Sequence, residues 1–277
     1  MFSTNTSHLK VTSKKVKKKI LCAISSVNES PIFVIGNQKS GATVIAVLLS
    51  KCCEISSTLD IPCMHNASVI EKLYSDPSRL RSFVYENPLP FSRELIKEPG
   101  LTFLYPALTT QFPGACFVMV VRDPRGNIRS ILDRHEIPGD LDSLNEAHLD
   151  GVSPAWKQIL DGSWMGLKGD TYIDMLAARW RKAAQIYLEN RQQVELICYE
   201  DFCADKVGSI KDLAERVDLP RKNRIEHEVD TQYQSRGNNR GVNWEEFFGA
   251  QNLARIESRC VDEMRALGYE DFRTLGS

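Results

Sequence analysis

Ile32-Phe33-Val34-Ile35-Gly36-Asn37-Gln38-Lys39-Ser40-Gly41-Ala42-Thr43 is the stretch whose reading decides the fold. An apolar run ending at a glycine predicts a strand covered on both faces, and the run Val44 to Leu49 predicts a buried helix behind it. A glycine turn from strand to helix aims the helix's first N–H groups, and the positive end of its dipole, at one point. The segment therefore has the form of an anion cradle. Gly36 and Gly41 have the spacing of the ATP and GTP loop, G-x-x-x-x-G-K-[ST], but Ala42 stands where that loop carries its lysine. The lysine of this chain, Lys39, lies inside the turn, where it meets a shorter group than a triphosphate.

Two more units of the same kind lie downstream. Phe117-Val118-Met119-Val120-Val121 is too apolar for a half-exposed strand and ends in Arg122-Asp123-Pro124-Arg125. Pro124 suits the first position of a helix running through Ile131, with Asp123 as its cap. A third strand is expected at Val194 to Tyr199, after a long helix from Tyr172 to Glu189. Strands alternating with helices imply an α/β fold: a mostly parallel central sheet flanked by helices, of the P-loop nucleotide-binding type. Residues 136 to 170 are rich in Gly, Asp, Ser and Trp with weak periodicity, and read as a loop-rich lid over the sheet's carboxyl edge.

Composition narrows the classes. At 277 residues the chain can bury a substantial core, and a net charge of -1 argues against a nucleic-acid partner. Its eight cysteines show neither zinc-site spacing nor disulfide density and read as reduced thiols. No apolar run approaches the ~18 residues of a membrane span, so a soluble, cytoplasmic protein without a membrane partner is expected. Residues 1 to 30, with lysines at 10, 14, 15, 17, 18 and 19, are expected to form a flexible tail. Residues 31 to 277 would then be a single domain. Nothing in the sequence speaks to oligomeric state.

Lys39-Ser40-Gly41-Ala42-Thr43 resembles the 5′-phosphosulfate loop of the PAPS-dependent sulfotransferases, Lys/Arg-Ser/Thr-Gly-Thr-Thr/Ser, with Ala42 replacing a threonine. That family also has an R-[DN]-P-x-x-x-x-x-S motif for the donor's 3′-phosphate, matched here by Arg122-Asp123-Pro124 and Ser130. Cys198-Tyr199-Glu200-Asp201-Phe202, Asp218-Leu219-Pro220 and Leu267-Gly268-Tyr269 resemble three further family segments of structural character. The resemblance runs from Pro31 onward over most of the chain. It implies a sulfotransferase fold, PAPS as donor and PAP as product, and no metal. Donor contacts fall to Gln38, Lys39, Ser40, Gly41, Ala42, Thr43, Arg122 and Ser130, joined by Arg236 and Arg240 in the loop from Ser235 to Gly241. Arg122 supplies a charge-assisted fork and Ser130 a neutral donor.

Sulfuryl transfer needs an in-line acceptor, positive charge on the leaving oxygen and a base for the acceptor proton. Lys39 is the expected cation. The family's base is a histidine shortly after a central lysine, or a carboxylate about twenty residues beyond the loop. Here Lys97-Glu98-Pro99 lacks that histidine, and Asp60 occupies the carboxylate position. Asp60 is the first candidate base, Glu98 the second, with His65 and His135 behind. The lid carries Asp140, Asp142, Glu146, Asp150, Asp161, Asp170 and, just beyond it, Asp174, with Trp156, Trp164 and Tyr172 interleaved. Such a lid suits a compact cationic acceptor. Asp60, His135, Trp156 and Trp164 are the expected acceptor contacts. Bacterial relatives decorate secondary metabolites, of which guanidinium alkaloids of the saxitoxin kind are an example, with transfer to a hydroxyl, amine or carbamoyl nitrogen. The competing classes are a P-loop kinase and a nucleotide-binding module without turnover.

Overall fold

A computed structural model describes residues 25–234, 237–239 and 241–269. The lysine cluster lies outside them. Five strands, β1 (Ile32–Gly36), β2 (Ser57–Thr58), β3 (Leu95–Lys97), β4 (Cys116–Val121) and β5 (Val194–Cys198), form one all-parallel sheet in the order β2-β3-β1-β4-β5. The first helices are α1 (Ala42–Cys53), α2 (Ala67–Ser75), α3 (Leu80–Glu86), α4 (Pro88–Phe91) and α5 (Tyr105–Gln111). They are followed by α6 (Pro124–Asp133), α7 (Pro154–Leu160), α8 (Tyr172–Asn190), α9 (Tyr199–Ala204), α10 (Lys206–Arg216) and α11 (Trp244–Ala266). The expected α/β class is the observed one. No helix among the described residues is long and apolar enough to cross a membrane.

Period-two alternation divides the strand side chains between two cores. Phe33, Ile35, Phe117 and Met119 face Trp180, Phe247 and Phe248, while Val34, Val118 and Val120 face Ile45, Leu48 and Leu49 of α1 and Leu213 of α10. Both faces are covered, as the continuous apolar runs require. Register then sets the site: Val34 pairs with Lys97, Gly36 with Val120 and Val121 with Cys198. The carboxyl ends of β1, β4 and β5 lie within one residue of each other and that of β3 two residues short of β1, and the residues that follow them, far apart in sequence, converge on one edge.

The three strands expected from sequence are present, the third ending at Cys198 because Tyr199 already opens α9. β2 and β3 were not expected. They are two and three residues long, too short to show a period, and β3 ends on a lysine. The expected loop-rich lid is partly helical: α7 begins at Pro154 and buries Ala155, Ile159 and Leu160. Contact with the sheet domain begins before Pro31, since Asn28 N donates to Phe91 O (2.8 Å).

Candidate active site: two cavities joined at the turn from β1 to α1

The turn from β1 to α1 is built for a close backbone approach. Gly36 has φ 146°, and a Cβ there would come within 2.4 Å of Val120 O; Thr102 Oγ1 accepts from Gly36 N (2.8 Å) and donates to Gly36 O (2.9 Å). Lys39 and Gly41 both have left-handed backbones, φ 67° and 93°. No side chain caps α1 and no acid lies in its first turn, so its leading N–H groups are available to an anion.

Amides behind the loop hold it. Asn37 Nδ2 donates to Asn127 Oδ1 (2.9 Å), and Asn127 Nδ2 donates to Gln38 O (2.8 Å) and Ser40 Oγ (3.0 Å). Ser40 is thus turned to the interior, 1% exposed, and its N–H donates to Asn37 O (3.3 Å), which leaves the backbone N–H of Gly41 as the loop's contribution at that point. Arg179 of α8 donates from Nε to Asn37 Oδ1 (3.1 Å) and from Nη2 to Gln38 Oε1 (2.8 Å).

Two cavities flank this loop. One, of about 200 Å³, is lined by Lys39, Gly41, Arg122, Arg129, Ser130 and Tyr199, with Gln232, Tyr233 and Gln234 on its far wall. Arg122 Nη1 donates to Lys39 O (3.2 Å), its guanidinium lies 4.7 Å from the Tyr199 ring centre, and Trp180 Nε1 holds Arg122 O (2.8 Å). Asp123 caps α6 by accepting from Arg125 N (2.8 Å), as expected, and Ser130 follows on that helix. Glu200 accepts from Asp123 N (3.1 Å) and from the Tyr269 hydroxyl (2.9 Å), tying the ends of β4 and β5 to the C-terminal segment.

The other cavity, of about 600 Å³, is walled by Gln38, Lys39, Thr43, Asp60, His65, Lys97, Glu98 and Arg134 together with Ile70, Pro99, Trp156 and Ile159. Lys39, Gly41 and Gln234 line both cavities. Gln234 Nε2 donates to Thr43 Oγ1 (2.9 Å), and Ala42 lies on the larger side. Burial, with Arg134 and Arg122 nearby, pushes the Lys39 ammonium below its ordinary pKa, Asp133 partly offsetting them. An amine so placed gains from any anion that enters.

Asp60 and Glu98 both line the larger cavity, in different states. Lys97 Nζ donates to Asp60 Oδ1 (2.5 Å) and Leu59 O (3.0 Å). Glu98 accepts from Ile61 N on one oxygen and from Gly100 N on the other, each at 2.9 Å. Burial raises the Glu98 pKa and the two amides pull it back. Its geometry is that of a brace for the segment carrying Asp60.

Among the expected acceptor contacts, Asp60 and Trp156 line the larger cavity. His135 lies behind Trp156, ring centres 4.7 Å apart, with Nε2 buried and unpartnered; burial and Arg134 lower its pKa. Trp164 lines a small adjoining recess with Tyr74 and Phe103, which shares Gln38, Ile70, Ala155 and Ile159 with the larger cavity, and donates to Gln158 O (2.8 Å). The acids expected to face the acceptor do not line the cavity. Asp140, Asp142, Glu146, Asp150, Asp161 and Asp170 are exposed, and Asp174 is buried in the capping box of α8 beneath Arg255 and Arg259. Carboxylates stay hydrated where they can, and the inward positions of the lid belong to Ala155, Trp156 and Ile159. Arg236 and Arg240 lie outside the described residues. Sequence reasoning missed Asn127, Arg179, Arg134 and Gln234. Only Arg179 left a signal, in phase with the apolar stripe of Leu176, Trp180 and Ala183.

No protein-family model matches the chain, and no curated protein matches it. Solved structures similar to it include a sulfotransferase of Mycobacterium tuberculosis at 13% identity, over 90% of this chain and 80% of that one, with a TM-score of 0.49. A mouse sulfotransferase complexed with PAP is similar at 15% identity over 90% and 89%, TM-score 0.49. So is the sulfotransferase domain from the curacin biosynthetic pathway, at 12% identity over 88% and 99%, TM-score 0.46.

Proposed function

We propose that the protein transfers a sulfuryl group from PAPS to a hydroxyl or amine of a small molecule, releasing PAP. The observation that carries this reading is the place of Lys39, on the wall of both cavities, with the uncapped start of α1 beside it and Arg122 and Ser130 across the smaller one. A donor with phosphates at two separate positions needs two anion sites in one cleft, and the transferred group must reach a second room where the acceptor waits.

In this reading Arg122 and Ser130 hold the 3′-phosphate, while Lys39 and the first amides of α1 hold the 5′ group. The acceptor oxygen or nitrogen bonds to sulfur as the bond from sulfur to the bridging oxygen breaks. The electron pair goes to PAP, where Lys39 neutralises it, and Asp60 takes the acceptor proton. Ile70, Pro99, Trp156 and Ile159 suit an acceptor with an apolar or aromatic face. The outward placement of the lid acids removes the ground for expecting a cationic one. The described cysteines are free thiols, which suits a reducing compartment such as the cytoplasm.

Titration calorimetry with PAP, PAPS and Mg²⁺-ATP tests the donor. PAP and PAPS should bind without Mg²⁺, and Lys39→Ala or Arg122→Ala should weaken both by at least about tenfold, the loss of one charged hydrogen bond. Preference for Mg²⁺-ATP overturns the reading. PAPS binding without transfer of labelled sulfate to any acceptor in a broad screen reduces it to a binding module.

A further inference from the structure

Gln38 has a side-chain amide whose orientation the protein fixes. Arg179 is 2% exposed, and a guanidinium offers donors only, so the atom of Gln38 that meets Nη2 at 2.8 Å is the carbonyl oxygen. The NH₂ end is therefore turned away from Arg179. It has no protein acceptor among the described residues, and it is not sealed in the interior. Gln38 lines the larger cavity together with Lys39 and Lys97.

Arg179 is itself unusual. Its guanidinium lies over the Phe103 ring at 4.5 Å, and no carboxylate among the described residues pairs with it. Burial pushes its pKa down to about 9, so at neutral pH it remains a cation directly behind the loop. Burying a cation without a carboxylate is costly unless its donors are hydrogen-bonded, and those of Arg179 go to Asn37 Oδ1, Met165 Sδ and Gln38 Oε1. Here it polarises the Gln38 amide, making the NH₂ a stronger donor.

We propose that Gln38 donates a hydrogen bond from its NH₂ group to the oxygens of the sulfuryl group in transit, and that Arg179 is the positioning residue that keeps this donor end forward. The role rests on the sulfotransferase reading above. The amides of α1 and Lys39 serve the phosphate side of the breaking bond. A neutral donor at the cavity wall serves the group that moves, binding it without trapping it as a second ammonium would.

PAPS and PAP differ by the sulfuryl group alone, so calorimetry with both isolates this contact without a known acceptor. For Gln38→Met, PAP affinity should stay within about twofold while PAPS weakens about tenfold, one hydrogen bond to a charged group. Gln38→Glu should lose more PAPS affinity than Gln38→Met, because a carboxylate repels the sulfuryl group. Arg179→Gln should abolish the preference for PAPS over PAP, and Arg179→Lys should restore part of it, which a merely structural role would not produce. Equal losses of PAP and PAPS in Gln38→Met, or no loss of either, overturn the role while leaving the donor assignment standing. A wild-type protein that binds neither nucleotide overturns the donor assignment, and this role with it.

Discussion

Lys97 Nζ lies 2.5 Å from Asp60 Oδ1, and the two side chains stand in opposite surroundings, 4% and 44% exposed. The lysine comes from the end of β3, and the carboxylate from a segment held by Glu98 through Ile61 N. A buried cation thus presents an accessible carboxylate to the larger cavity at a fixed place. Asp60→Asn keeps the shape and removes the proposed proton acceptor. Turnover of labelled PAPS should fall about 10²- to 10⁴-fold, the usual range for a lost general base, with PAP affinity within about twofold. Loss of PAP affinity instead would make Asp60 part of the donor site.

The Lys39 ammonium sits below its ordinary pKa because burial and two arginines disfavour its charge. In the free protein the folded state therefore releases this proton before the unfolded state does. Stability held back by that buried charge is recovered as pH rises through the depressed value. Binding runs the other way, since in the proposed reading the charged amine is the one that holds PAP. Calorimetric affinity should decline with rising pH before the usual lysine value of 10.5 is reached, and PAP binding should take up protons in that range. In Lys39→Arg the decline should move to higher pH. An affinity flat to that value would remove Lys39 from the contact.

Gly41 has φ 93°, and a Cβ there would lie 2.2 Å from Tyr199 Cδ2. Gly41→Ala should cost about 1–3 kcal/mol of backbone strain and reduce PAP affinity about tenfold or more. Tyr199→Ala relieves the clash but not the backbone conformation, so the double variant should recover only part of the loss. Full recovery in a double-mutant cycle would show that sterics alone decide the position.

Tyr269 is 1% exposed, and its hydroxyl donates to Glu200, whose pKa burial raises and this bond, with the Asp123 amide, lowers. Tyr269→Phe removes a partner from a buried carboxylate. Stability in urea should drop by about 1–3 kcal/mol, and PAP affinity should fall because Glu200 also holds the turn after Arg122. A variant with unchanged denaturation midpoint would show that the C-terminal segment does not brace the donor cleft.

The first two strand-turn-helix units were legible because each joined an apolar run to local punctuation, Gly36 and Gly41 in one and Pro124 with its cap Asp123 in the other, signals local to a dozen residues. Asp123 and Pro124 fell where the pattern put them for that reason, whereas Ser130 was named by the motif resemblance and lies, as expected, on the helix that follows. What stayed hidden was set by register: β3 brings Lys97 beside Val34, a juxtaposition that three residues of strand cannot announce. The lid misled because its acids are numerous while the side facing the cavity is set by a helix of seven residues. Asn127 was hidden in another way, since a polar residue inside a helix gives no indication of which distant amide it will meet.

The amides behind the loop run in one direction. Arg179 can only give, so Asn37 must receive on oxygen and give on nitrogen, and Asn127 must do the same toward Gln38 and Ser40. Turning any single amide over would set two donors, or two acceptors, face to face. The loop accordingly has one state rather than two, and its order originates 142 residues away in sequence from Asn37. Residues 36–43 transplanted alone into another strand-helix junction would keep their glycines and lysine but arrive without the parts that orient them. A working graft would have to carry Asn127 and Arg179 with it.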